Sequence, residues 1–261
     1  MITFDGLEAG ILLPAFLAGI LVLATHVPLG AEVLKRGIIF IDLAIAQIAG
    51  LGIVVAHLLG VNGHGWPVQA TALTAALLGA AFLHWREQRQ PAHQEAVIGV
   101  AYVAAACAAI LLLAKDPHAG EHLQNILVGQ ILWTTWADLI PLAGVTVVAL
   151  AVWFGLGLKA SPLGFYLLFA VCITASVQVV GVFLVFASLI VPALAAVGFA
   201  RGRLAAGYGV GIVGYATGLV ASALFDLPSG AAIVLALVVV GAVAAGITTL
   251  RRGQTRAENA A

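Results

Sequence analysis

Asp42 stands in the apolar run Gly37-Ile-Ile-Phe-Ile-Asp-Leu-Ala-Ile-Ala-Gln-Ile-Ala-Gly-Leu-Gly52, which otherwise has the composition of a membrane-spanning helix. A carboxylate in hydrocarbon costs roughly 2.5–3.5 kcal/mol on insertion scales and is retained where it meets a polar path, a cation or a partner. Counted from the basic pair Lys35 and Arg36, Asp42 is six residues on, or about 9 Å into the bilayer at 1.5 Å per residue. Two readings follow: a residue of a cation path, or a helix-end carboxylate paired with Lys35 or Arg36. Gln47 lies nearer the centre of the same run. Five residues turn a helix through about 500°, so Asp42 and Gln47 do not share a face. Gln47 reads equally as a path residue and as an interhelical hydrogen bond. His26, in Thr-His-Val-Pro-Leu-Gly, sits near the end of the preceding run, at a depth similar to Asp42. A contact between them is geometrically open, and imidazole with carboxylate suits a transition-metal ion. Taken alone, His26 reads as a histidine bonded to a backbone carbonyl near Pro28.

The remaining ligand-type residues are peripheral. His118, Glu121 and His122 form the densest cluster, on an outer loop read first as solvated, then as a docking site, then as a metal site. His57 and His64 fall at outer ends, His84 and His93 at inner ends, each read as an interface anchor. Gln178 marks a turn. Cys107 and Cys172 lie in apolar runs without CxxC or Cys/His spacing, so neither a disulfide framework nor a structural zinc site is indicated. The sequence contains no GxxxxGK[ST], GxSxG or HExxH, and no GxGxxG in a context that suggests a dinucleotide enzyme, so any ATP-driven step needs a motor on another polypeptide.

The elements that carry these residues are membrane helices. Of 261 residues, 63% are hydrophobic and 8% charged, and the mean hydropathy is +1.14. Too few charges are present to cover a soluble domain. The formal net charge of zero gives no support to a nucleic-acid partner. An all-α polytopic bundle of about nine spans is expected, near 11–29, 37–60, 66–85, 95–114, 135–158, 163–178, 179–200, 205–225 and 229–250. Residues 163–200 read as two helices or one long tilted one. Residues 1–253 are expected to form one transmembrane domain and 254–261 a disordered cytoplasmic tail. The acidic N-terminus lacks the basic region of a signal peptide, so the first span is expected to be retained.

Charge sets the orientation. Ten of the eleven Lys and Arg residues fall in alternate connections, and only Lys115 falls on the other side. By the positive-inside rule the N-terminus is outside and the C-terminus cytoplasmic. Residues 121–133 read as a short helix at the outer interface, with Trp133 and Trp136 in the aromatic belt. The 30 glycines, many inside spans, read as close-packing positions.

Four stretches, in order along nearly the whole chain, resemble the permeases of ABC importers for zinc, manganese and related divalent metals. They are Pro28-Leu-Gly30 with Val33-Leu-Lys-Arg36; Leu127-Val-Gly-Gln-Ile-Leu-Trp133 with Ala137-Asp-Leu139; Val179-Val-Gly-Val-Phe-Leu-Val-Phe-Ala-Ser-Leu-Ile-Val-Pro-Ala193; and Asp226-Leu-Pro-Ser-Gly230 with Ile233-Val-Leu235. The resemblance implies a non-catalytic permease subunit of the bacterial inner membrane, working as a homodimer with cytoplasmic ATP-binding subunits and an external metal-binding protein. It implies no tightly bound cofactor, the metal ion being cargo. The rival reading is a gradient-driven transporter or channel with Asp42 as titrating group. The chain departs from the family at two places. The family's G-D-x-L-[SA]-H-A stretch places its Asp and His where Leu43 and Gln47 stand here, with Asp42 one place earlier. Asp42, His26 and Gln47 are therefore the expected metal-path residues. The connection Leu158-Lys-Ala-Ser-Pro-Leu163 is shorter than the family's cytoplasmic segment, which moves the expected ATPase contact toward residues 86–94.

Overall fold

The computed structural model describes residues 9–61, 66–89, 91–113, 131–155, 161–199 and 201–258. Among them nine α-helices follow one another: α1 Ala9–Arg36, α2 Ile41–Leu58, α3 Trp66–Arg89, α4 Gln94–Leu112, α5 Trp136–Gly155, α6 Pro162–Val180, α7 Val182–Ala196, α8 Arg203–Phe225 and α9 Ser229–Glu258. Eight are long and apolar enough to cross a membrane, and α7, with 15 residues, is the shorter ninth. The outer cluster His118, Glu121 and His122, the bulk of the expected interfacial helix, and His64 lie outside the described residues. Of that interfacial segment Ile131–Trp133 forms a short 3-10 turn, with Trp133 and Trp136 exposed. Helix α9 runs through residues 254–258, where a tail was expected; residues 259–261 are not described.

The basic ends gather at one face. The Arg36 guanidinium lies 4.2 Å from the Phe165 ring centroid, joining the end of α1 to the start of α6. Gln94, opening α4, donates to the Leu83 carbonyl of α3 at 2.9 Å and to the Tyr166 hydroxyl of α6 at 3.2 Å. A Cβ on Gly207 of α8 would meet Val27 of α1 and the Pro192 carbonyl of α7. These contacts collect the connections carrying Arg36, Arg86, Arg89, Arg201 and Arg203, as the charge pattern requires.

Segment 163–200 is two helices. Gly181 has φ 81° and ψ 162°, backbone that essentially only glycine adopts. It breaks the hydrogen-bond ladder there and turns the chain back toward the basic face. The sequence marker Gln178 sits within the last turn of α6 instead.

The first connection also differs from expectation. The first span is expected to end near residue 29, at Pro28-Leu-Gly30, yet α1 continues through these residues to Arg36, with Pro28 inside the helix. A helical proline leaves the carbonyl four residues earlier without its donor. Here that carbonyl is Ala24, and the Tyr208 hydroxyl of α8 donates to it at 3.0 Å. In lipid a freed backbone group must be satisfied from within the protein, and this bond does so. Gly30, two residues on, allows the backbones of α1 and α7 to touch: a Cβ there would run into the Leu189 carbonyl.

Candidate functional site

The extension of α1 changes the depth of both leading residues. His26 lies ten residues, about 15 Å, from the end of α1 at Arg36. Residues 37–40 form the turn, and Asp42 occupies the first turn of α2, beside the basic face rather than deep in the bilayer. The two helices also have different neighbours. Helix α2 packs chiefly on α3 and α4, while α1 packs on α7, α8 and α5, with α6 and α7 touching both. The expected His26–Asp42 contact is accordingly absent, and no ion pair or hydrogen bond joins the two residues.

His26 is fully buried. Its Nδ1 lies 2.9 Å from the Val22 carbonyl and 3.0 Å from the Thr25 hydroxyl, the backbone-bonded arrangement described above as its plain reading. Its Nε2 has no hydrogen-bond partner. It stands one turn from Gly30, on the side of α1 that faces α7.

Asp42 is 1% exposed, and neither carboxylate oxygen has a hydrogen-bond partner of good geometry. The nearest donors are the N–H groups of its own turn, at Asp42 and Leu43. The helix dipole favours an anion at that end. The expected pairing with the neighbouring cations does not form. Arg36 Nε donates to Glu32 Oε1 at 2.9 Å, and Lys35 reaches the same carboxylate at 3.9 Å. Gln47 is buried on α2, about 7.5 Å further along and on another face.

One residue beside Asp42 was not singled out from the sequence. Glu95, in the first turn of α4, accepts a hydrogen bond from the Phe40 N–H at 3.2 Å, capping α2 from across the bundle. Its second oxygen, Oε2, is buried without a partner. It bears on Asp42 as a like charge. The spacing of 53 residues between the two carboxylates carries no local signal; only α2–α4 packing brings them together.

His84, expected at an interface, is instead buried where α3 meets α6. Its ring lies 5.4 Å from that of Tyr166, with Nε2 3.1 Å from Gln88 Nε2 and Nδ1 3.9 Å from Glu87. Among the described residues no three His, Cys, Asp or Glu side chains converge as a metal cluster. Asp42 and Glu95 lie near one another, where the first turns of α2 and α4 meet.

With eight helices long and apolar enough to cross a membrane among the described residues, the chain is a multi-span membrane protein. The chain is a member of the ABC 3 transport family, whose model matches residues 8–155 and 150–247. It is a multi-pass permease of the bacterial cytoplasmic membrane, of the divalent-metal ABC importer type that the four sequence stretches resemble. Membership of an ATP-driven family sets aside the gradient-driven alternative. The two matched pieces meet at 150–155, just before the shortened 158–163 connection. The fold is similar to that of PsaBC from Streptococcus pneumoniae in complex with Fab, with TM-score 0.69 and 22% identity over 90% of this chain and 89% of that one.

Proposed function

We propose that Asp42 is the carboxylate of the metal path, taking the part that the family gives to the neighbouring position occupied here by Leu43. The observation that carries this reading is the burial of Asp42 with both oxygens unpartnered while Arg36 and Lys35 are engaged with Glu32. A buried anion is normally paired or coordinates a metal, and a divalent cation in transit supplies the missing charge. Gln47, further along α2 and on another face, is the second candidate for the path, and His26, on α1, the third. The permease is not itself a catalyst and holds no tight cofactor. It works as a homodimer, receives metal from an external binding protein and is driven by ATP-binding subunits docked on the basic face.

The test is uptake of manganese and zinc into proteoliposomes carrying the permease, its ATPase and its binding protein. Asp42→Asn, nearly isosteric, is expected to lower uptake at least about tenfold, the usual scale for losing a metal-site group, while the subunits still assemble. Uptake at the wild-type rate would overturn the role of Asp42. His26→Ala should have the smaller effect, since His26 lies away from the carboxylate pair.

A further inference from the structure

We propose that the cytoplasmic end of α3 carries a binding site for an anionic phospholipid. The Arg89 guanidinium receives the headgroup phosphate, and Trp85, Phe82 and Leu78 receive an acyl chain. The site lies on the outside of the bundle and takes no part in the route proposed for the metal.

Its position follows from the two sides of α3. Ala72, Ala76, Ala80, Leu83 and His84 are buried against the rest of the bundle. Leu78, Phe82, Trp85 and Arg89 are exposed, and at about 100° per residue they fall within about 60° of one another on the opposite side. From position 78 to position 89 the stripe runs about 16 Å, which matches one leaflet of a ~30 Å hydrocarbon core. Phe82 and Trp85 make it continuous, with ring centroids 6.1 Å apart.

The cation at the end of this stripe is unlike others on the basic face. Arg36 Nε is bonded to Glu32, and Arg203 Nε donates to the Phe199 carbonyl at 3.0 Å. Among the described residues Arg89 has no carboxylate or carbonyl partner. Its guanidinium lies 4.4 Å from the Trp85 ring centroid, folded back along the stripe. Stacking occupies the face of the guanidinium and leaves its N–H donors free in the plane, where a phosphate takes two of them side by side. The acidic residue of the same turn, Glu87, is directed to the other side of the helix, 3.9 Å from His84. Arg86, within a turn of Arg89, adds positive charge instead. A basic side chain beside an aromatic ring at headgroup depth suits the anionic lipids of the cytoplasmic leaflet. A lipid fits better than a soluble subunit, because Leu78, Phe82 and Trp85 belong to the apolar span itself.

The experiment uses the full-length permease with its ATPase in phosphatidylcholine vesicles, titrated with phosphatidylglycerol brominated on its acyl chains. Bromine quenches indole fluorescence on contact, and the share due to Trp85 is obtained by difference from Trp85→Phe. Trp85 is expected to reach half-quenching at a lower fraction of brominated phosphatidylglycerol than of brominated phosphatidylcholine. Arg89→Gln should raise the phosphatidylglycerol fraction needed about fivefold, the scale of one basic residue at an anionic surface, and leave the phosphatidylcholine curve in place. Lys35→Gln, which removes a cation 78% exposed elsewhere on the same face, should change neither curve. Coincident curves for the two lipids, an Arg89→Gln curve equal to wild type, or an equal shift with Lys35→Gln would each overturn the inference. So would quenching seen in the permease alone and lost once the ATPase binds, which assigns the face to that subunit. Absence of Trp85 quenching by either lipid, with and without the ATPase, would assign it to a second copy of the chain and overturn the inference as well.

Discussion

The bond from Tyr208 to Ala24 makes a sharp prediction, because the structure assigns it a single job. Pro28 removes the N–H that would serve the Ala24 carbonyl in an unbroken α1, and the Tyr208 hydroxyl replaces it at 3.0 Å. Tyr208→Phe keeps the ring and deletes only that donor. A backbone acceptor left unpaired at membrane depth costs about 1–3 kcal/mol by soluble-protein standards. Polar contacts inside membrane bundles run lower, averaging about 0.6 with a maximum near 1.7 kcal/mol. We expect a loss of about 1 kcal/mol, read as a fall of a few degrees in the melting temperature of the detergent-solubilised protein. The decisive step is the second background. Pro28→Ala restores a backbone N–H to Ala24, so Tyr208→Phe made on top of it should cost close to nothing. A double-mutant cycle isolates this coupling. Equal cost of Tyr208→Phe in both backgrounds would show that Tyr208 does not compensate Pro28.

Two further predictions concern packing. Gly30→Ala drives a methyl into the Leu189 carbonyl, with Ala193 Cβ at 3.2 Å leaving no room to yield, and should destabilise by about 1–3 kcal/mol; Gly209→Ala, with nothing within 4 Å of its Cβ position, should be neutral or gain up to about 1 kcal/mol from helix propensity, and equal melting temperatures for the two variants would refute the close α1–α7 approach. Ser188 donates to the Leu184 carbonyl at 2.6 Å, so the Tyr215 hydroxyl at 2.8 Å must donate to Ser188; Ser188→Ala then orphans a fully buried donor, whereas Tyr215→Phe leaves Ser188 bonded to its own helix, and thermal unfolding should show the serine variant as the less stable of the two.

The helical bundle was legible in the sequence because hydropathy and charge are one-dimensional signals. Runs of apolar residues and the alternation of basic connections located all nine helices, and the basic face confirms the alternation. What failed was punctuation. Pro28 and Gly30 look like a turn when read along the chain, but their reasons lie across it: Tyr208 replaces the donor that Pro28 lacks, and Leu189 needs the space that Gly30 leaves. In the other direction Gln178 drew attention as the polar residue, while the break came three residues later at Gly181, whose φ of 81° a side chain would resist.

The same error shifted the candidate site. Ending α1 near residue 29 put His26 and Asp42 at similar depths on neighbouring helices; ending it at Arg36 separates them by about 13 Å along the axis, from ten residues on one helix against one on the other. Asp42 then ceases to be an isolated charge in hydrocarbon and becomes a first-turn carboxylate, favoured by the dipole of α2 yet still buried and unpaired. Its neighbour Glu95 could not be found from sequence, since a glutamate at the cytoplasmic start of a span is ordinary by itself. It becomes notable only when α4 folds onto α2 and sets its carboxylate over Phe40. A buried anion is costly alone and costlier beside a like charge, and that cost arises only when the folded bundle brings Glu95 to the start of α2, not along the sequence.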